Sequence, residues 1–300
     1  MKIFITGGSG FFGRTLTARL RADRHDITIV DRRITDPSAF PAGLTGIEAD
    51  TTKPGDWQAA AAASEIVVNL AGTPIFNRWS KAIKRSILES RVLTTRNIVE
   101  ALASRKKKTK RLINASAVGY YGFLNDEIVD ETFPPGADFL ATVARAWEDE
   151  AVRAREHAVD VTACRFGIIL GKGGGALALL KKIYRLRAGS RLGGGRQWFP
   201  WVHEDDLAEM VAFIIKHRIT GAVNCTAPVP VRNAEMTRQL NRAPGVFPLV
   251  PPAPAFAVKL ILGEFGETLL RGQRAFPRVL TERGFEFRYP EFERAIRSLA

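Results

Sequence analysis

The apolar positions of residues 1–167 fall into two alternating rhythms. Short apolar runs at Ile3–Thr6, Ile27–Asp31, Gly46–Asp50, Ile66–Leu70, Arg111–Ser116 and Val161–Phe166 read as strands buried on both faces. Longer stretches at Gly13–Ala22, Lys81–Ala103 and Phe139–His157 lie between them with helical spacing. In the second of these, Ile83, Ile87, Val92, Ile98 and Leu102 recur on one side. Strands alternating with helices predict an α/β chain whose parallel sheet carries helices on both faces, a Rossmann-type doubly wound fold.

After Phe166 the rhythm breaks. Glycine clusters at 171–175 and 193–195 mark loops. A helical run, Asp205–His217, and a short strand, Ala222–Thr226, then return to the main sheet. The stretch Pro244–Pro254 is proline-rich and marks a linker or seam, with helices expected beyond it. This predicts a Rossmann domain over residues 1–167, completed by about 200–227, and a smaller substrate-binding domain from 168–199 and 228–300. Ligands of such folds bind outside the carboxyl ends of the strands, here in the crevice between the two parts.

Composition narrows the class. An apolar share of 46% and a charged share of 25% suit a globular chain. No apolar run reaches the length of a membrane span, and the first residues form a strand rather than a leader, so a cytoplasmic location is expected. Cys164 and Cys225 stand singly in apolar stretches, and the four histidines are scattered, so no metal site is expected. The net charge of +13 raises the question of nucleic acid, and part of it comes from the basic run 104–111. That run holds no aromatic residue and no known module, so it reads as a solvated helix end and loop rather than a nucleic-acid reader.

The densest chemistry lies in Thr6-Gly7-Gly8-Ser9-Gly10-Phe11-Phe12-Gly13. It follows a strand and opens a helix, the context in which such glycines hold a dinucleotide. Gly7 and Gly10 permit the tight turn and the close approach of a pyrophosphate. Gly13 lets the helix pack on the sheet, and the helix N–H groups, with Phe11 and Phe12 among the first, face the phosphates. Asp31 ends the second strand, 18 residues after Gly13, where a carboxylate accepts from ribose hydroxyls and favours NAD. Arg32 and Arg33 follow it and Arg14 opens the helix, cations suited to the 2′-phosphate of NADP. The arginines tilt the expectation to NADP, with NAD as the alternative. Asp50, at the end of the third strand, is placed to meet the adenine edge.

Further motifs are Asn69-Leu70-Ala71-Gly72-Thr73-Pro74-Ile75, Arg78-Trp79, Ser90-Arg91, Ser116-Ala117-Val118-Gly119-Tyr120-Tyr121-Gly122 and Trp147-Glu148. Arg165 to Gly171, Gly194 to His203, and Gln273-Arg274 with Pro277 complete the set. With these residues the chain resembles the extended short-chain dehydrogenase/reductase superfamily, and within it the atypical branch called epimerase family proteins, similar to sugar-nucleotide epimerases. The resemblance spans nearly the whole chain. It implies that Asn69, Ala71, Gly72, Arg91 and Gly167 belong to the cofactor site, and that relatives often dimerise through helices like 81–103 and 139–157, so monomer and homodimer both stay open.

The superfamily moves its proton with a tyrosine in Y-x-x-x-K, whose lysine lowers the tyrosine pKa. This chain has four tyrosines, and four residues after each stand Leu124, Asn125, Ala188 and Glu293. No Y-x-x-x-K exists, and the corresponding segment is Phe139-Leu140-Ala141-Thr142-Val143. The usual serine slot falls on Ala117, with Ser116 one residue earlier. The candidates left to touch the reacting atoms are Ser116, Tyr120, Tyr121 and His203, each with a plain packing or capping role as the alternative. Gln197-Trp198 with Arg196 and Trp201 suggest a substrate wall, Arg274 a further anion holder, and an arginine beside aromatics suits a sugar nucleotide. Two functions are therefore expected to compete: an NAD(P)-dependent oxidoreductase or epimerase-like enzyme on a small molecule, and a non-catalytic NADP(H)-binding sensor or scaffold.

Overall fold

The computed structural model describes residues 1–34, 40–103, 110–242 and 250–299. Strand and helix alternate through β1 (Lys2–Thr6), α1 (Phe11–Ala22), β2 (Asp26–Asp31), β3 (Leu44–Glu48), α2 (Trp57–Ala63), β4 (Ile66–Asn69), α3 (Lys81–Ala103) and β5 (Lys110–Ala117). Then come β6 (Ile128–Val129), α4 (Phe139–Val152), β7 (Val159–Phe166), β8 (Ile168–Gly171), α5 (Gly175–Arg185), β9 (Trp198–Phe199), β10 (Trp201–His203), α6 (Glu204–His217) and β11 (Gly221–Cys225). The chain ends with β12 (Val231–Arg232), α7 (Asn233–Arg242), α8 (Ala255–Leu262), α9 (Glu264–Leu270), β13 (Arg274–Ala275), α10 (Arg278–Glu282) and α11 (Phe292–Leu299).

The main sheet has seven strands in the order β3-β2-β1-β4-β5-β7-β11, with every neighbouring pair parallel. The chain lays strands outward from β1 to β3, then crosses back to β4, so the order reverses between β1 and β4. Alternation along β1 sorts the core. Ile3 and Ile5 join Leu16 and Leu20 of α1 and Met210 and Ile214 of α6 on one face. Phe4 joins Trp57 of α2 and Ile98 and Leu102 of α3 on the other. A third cluster gathers Leu177 and Tyr184 of α5, Trp201, Met236 of α7 and Phe292 of α11.

Several expectations shift. The third strand lies two residues earlier than its apolar run suggested, so Asp50 stands in the loop after it. The first helix opens at Phe11, and the loop assigned to 171–175 gives way to α5 at Gly175. Most of the basic run, residues 104–109, lies outside the described residues. Its last two cations are no solvated loop: Lys110 and Arg111 are 3% and 6% exposed. They leave β5 on opposite faces. Arg111 donates to the carbonyls of Ile215 and Ile214 at 2.6 and 3.0 Å, at the C-terminal turn of α6. Lys110 donates to the carbonyl of Ala62 at the end of α2. Both cations thus meet the negative end of a helix that packs on the sheet.

Candidate active site

One cleft of about 1450 Å³ runs along the carboxyl edge of the sheet at the point of strand reversal. Gly7, Gly10, Phe11, Phe12 and Gly13 form one wall, and Leu70, Ala71 and Gly72, which follow β4, form the next. Gly7 has φ of +71°, which an L side chain rarely adopts. A Cβ at Gly13 would run into the Gly7 carbonyl oxygen. The loop therefore presses its backbone against α1, and a side chain at Gly13 would fill that cradle. Gly10 precedes α1, no side chain caps the helix, and its first turn holds no acid. The leading N–H groups of α1 are thus without a capping side chain where the helix meets the cleft.

Asp31 and Arg32 stand at one end of the cleft. The Ser9 hydroxyl donates to Asp31 Oδ2 at 2.6 Å, and the Arg32 N–H donates to Oδ1 at 2.8 Å. Arg14 donates to the Ser9 carbonyl at 2.9 Å, which brings a second guanidinium to the same loop. Asp50 and Thr52 line the wall nearby. Two hydrogen bonds from Thr52, with burial opposing them, hold the Asp50 carboxyl below its ordinary range.

Behind Gly72 lies Arg91 of α3. Its Nη1 donates to the carbonyls of Thr73 and Ile87 at 3.1 and 3.0 Å, and its guanidinium rests over the Trp147 ring at 5.0 Å. Burial pulls its pKa down to about 10, so it is charged at neutral pH. Among the described residues no carboxylate pairs with it. It is a buried cation on the cleft wall whose charge no carboxylate of the described residues balances.

Ser116, at the end of β5, lines the middle of the cleft. Its hydroxyl donates to Glu148 Oε1 at 2.6 Å. Arg165 grips the same carboxylate with Nε and Nη2, each at 2.9 Å, and donates from Nη1 to the Tyr121 hydroxyl at 3.0 Å. Because the Ser116 proton is spent inward, its oxygen offers lone pairs to the cleft. Gly167 and Gln197 also stand on the wall.

A family model described as "NAD dependent epimerase/dehydratase family" matches residues 3–225. The chain belongs to that family. A second model, a domain of unknown function (DUF1731), matches residues 253–299. The epimerase family protein SDR39U1 homolog, chloroplastic, of Arabidopsis thaliana is 40% identical and covers 100% of this chain and 86% of its own. Among solved structures, human epimerase family protein SDR39U1 with NADPH superposes with a TM-score of 0.87 at 29% identity, covering 100% of this chain and 99% of that one. A nucleoside-diphosphate sugar epimerase from Corynebacterium glutamicum gives 0.80 at 32% identity, with this chain spanning 58% of its length.

Within this epimerase/dehydratase fold, several residues singled out from the sequence stand off the cleft wall. Asn69 is fully buried below it, accepting from the Thr6 hydroxyl at 2.6 Å and donating to Thr95 and Asn114. It stitches β1, β4, β5 and α3 together under the loop. Tyr121 is 1% exposed. Its hydroxyl donates to Asn224 at 2.6 Å while burial pushes its pKa up to about 12. Tyr120 lies under the Arg165 guanidinium, 3.5 Å from ring centroid to Cζ.

His203 caps α6, its Nδ1 accepting from the Asp205 N–H at 3.0 Å. The Ser298 hydroxyl gives its proton to Ala295, so the His203 Nε2–H donates to Ser298. That fixes the neutral tautomer. Trp201 is wholly buried against Phe292, donating to the Val229 carbonyl. Arg274 stacks on Trp198, and Arg196 is exposed beside it. Of the expected wall of Arg196, Gln197, Trp198 and Trp201, Gln197 and Trp198 line the cleft, joined by Phe199, while Arg196 and Trp201 stand off it.

The carboxylates on the wall are Asp31, Asp50, Glu89 and Asp138. Glu89 is held by Arg85 at 2.7 Å. Asp138 belongs to none of the sequence motifs. It caps α4 through Oδ1, which accepts from the N–H groups of Leu140 and Ala141 at 2.9 and 3.2 Å. Burial raises its pKa against those bonds. Its signal was local: an aspartate immediately before a helical run.

Proposed function

We propose that this protein is an NADP(H)-dependent oxidoreductase of the epimerase/dehydratase family acting on a small molecule. The observation that carries the reading is the continuity of one cleft. A side-chain-free cradle at the start of α1, Arg32 beside Asp31 and the unpaired Arg91 all line the space that Ser116 enters, and Arg14 is held to the same loop through the Ser9 carbonyl. When bound there, NADPH supplies a hydride.

The chain's own residues then have distinct tasks. The N–H groups of Phe11 and Phe12 and the Arg91 guanidinium hold the pyrophosphate. Arg32 and Arg14 take the 2′-phosphate, and Asp31 braces the loop through Ser9. Asp50 and Thr52 border the adenine, and Gly167 closes the wall behind the nicotinamide. Ser116 accepts from the carboxamide or from a substrate hydroxyl, its rotamer fixed by Glu148. The remaining acid, Asp138, moves the proton at the substrate oxygen, since the segment that carries tyrosine and lysine in the superfamily is Phe139–Val143 here. NADPH in the SDR39U1 structure supports the choice of dinucleotide. The tie between Asp31 and Ser9 supports it too, because it leaves the two guanidinium groups to face the ribose edge.

A second reading is favoured by Val143, which lines the cleft at the position of the usual lysine. It is a cofactor-binding sensor without turnover. Asp138→Asn separates the two, because asparagine keeps the helix cap. Under the enzyme reading, kcat with NADPH falls about 100-fold or more and the NADPH dissociation constant stays within about twofold. Absence of turnover on a panel of aldehydes, ketones and sugar nucleotides, with NADPH bound, would leave the sensor. No helix among the described residues is long and apolar enough to cross a membrane. The cytoplasmic location is part of the proposal, to be checked by cell fractionation, since the Arabidopsis relative is described as chloroplastic.

A further inference from the structure

Beyond Ser116 the cleft changes character. Its walls there come from α5, α7, α8 and α9 and are set with Leu179, Ile183, Met236, Val258, Ile261 and Phe265. Helix α8 reads Ala-Phe-Ala-Val-Lys-Leu-Ile-Leu, with one charge in eight residues. Such a helix is expected to be sheathed by core. Instead Leu260 is 75% exposed, and Ile261, itself a cleft residue, is 68% exposed. Leu179 on α5 and Phe76 at the mouth also line the cleft, at 51% and 41% exposure. Apolar surface gathered this way around one opening marks a binding site for an apolar partner.

A sugar diphosphate needs cations at this end, and the described residues supply few. Arg274 lies on Trp198 rather than on the wall, and Arg196 is likewise off it. Arg271, which is on the wall, is paired with Glu267 at 3.2 Å. Arg85 is paired with Glu89. The Gln197 amide donates to the carbonyls of Leu192 and Leu269 at 3.2 and 3.0 Å, so its N–H groups are spent on backbone. Arg78, exposed at the mouth, has no ion pair among the described residues, and one rim cation does not make a diphosphate cradle.

We infer that the second half of the cleft takes a substrate with a hydrocarbon body. Its aldehyde, ketone or alcohol end faces Ser116, and the body lies between α5 and α8. This rests on the oxidoreductase reading for the reacting end, whereas the apolar wall can be tested separately.

The test is calorimetric titration of the NADPH-loaded protein with the primary alkanols from butanol to octanol, and with UDP-glucose. Transfer of each methylene to an apolar wall predicts a dissociation constant that falls about fourfold per carbon, roughly 250-fold across the series. UDP-glucose is expected to show no saturable binding up to ~1 mM, the weak end of specific affinity. Ile261→Asp and Leu179→Asp, both at exposed positions that tolerate the change, are expected to weaken octanol about tenfold or more while leaving NADPH affinity unchanged. A flat alkanol series, or UDP-glucose binding as tightly as octanol, would overturn the inference. Titrating the protein without NADPH keeps the two claims apart. If NADPH does not bind but the alkanol slope persists, the cofactor reading fails and the apolar wall stands.

Discussion

Lowering the pH from 7 to 5 should weaken this protein through one side chain, His203. The ring is 2% exposed, stacks on Tyr289 at 3.9 Å, and is neutral with both nitrogens engaged. Desolvation brings its pKa down to about 4 from the ordinary 6.5; Asp205, 3.8 Å away, opposes this, while Arg288 and Lys172 reinforce it. Protonating it in place puts a charge where little water reaches. The unfolded chain takes up the proton near pH 6.5 and the folded chain only near pH 4, so between these values the unfolded state binds more protons and stability is lost as the pH is lowered. Linkage over pH 7 to 5 gives about 2 kcal/mol. That figure already contains the attraction of Asp205, and roughly 1–2 kcal/mol is the expected loss. Burial raises the pKa values of Glu131, Asp138 and Asp206. These groups favour the folded state on acidification, and their contribution cancels when two proteins are compared. Urea unfolding at pH 7 and pH 5, for the wild type and His203→Asn, isolates the ring because asparagine retains the cap. The wild type should lose 1–2 kcal/mol more than the variant. Equal losses would refute the claim that His203 is held neutral by burial.

Two further substitutions probe the architecture and the site. Glu148→Ala leaves Arg165 buried without its counter-charge and should cost about 3–5 kcal/mol in chemical denaturation; a loss under about 1 kcal/mol would mean that water reaches the pair. Arg32→Ala should weaken NADPH about tenfold or more with little change for NADH, a difference of about 1.4 kcal/mol read by parallel titrations. Equal weakening of both would deny Arg32 its place at the 2′-phosphate.

How much of this was legible in the sequence follows from how local each signal is. The β1–loop–α1 unit could be read because its strand, its glycines and its helix are consecutive. All seven main-sheet strands lie within two residues of the apolar runs that predict them. The third is displaced at both ends, by two residues, because Gly46–Asp50 and Leu44–Glu48 overlap in one weakly apolar stretch. Helix α5 was hidden by the glycines that precede it, and two-residue strands such as β6 and β13 leave no period to detect. The cleft's cofactor half was visible as motif. What could not be read was direction: Tyr121, His203 and Trp201 have the chemistry of site residues, yet tertiary packing turns them inward. The Ser116–Glu148–Arg165–Tyr121 chain joins residues up to 49 positions apart, a pairing no local pattern encodes. The same holds for Lys110 and Arg111, whose sequence neighbourhood suggested solvent and whose partners are the ends of α2 and α6.

The central claim is that the cradle, the arginines beside Asp31 and the buried Arg91 form one NADP(H) site. Fluorescence titration of the purified protein with NADPH and NADH tests it most directly. Saturable binding of both is expected, with NADPH the tighter by about tenfold or more, the selectivity attributed to Arg32. Preference for NADH would assign the ribose edge to Asp31 instead. Absence of binding by either would deny the site and reduce the glycine loop to a structural turn.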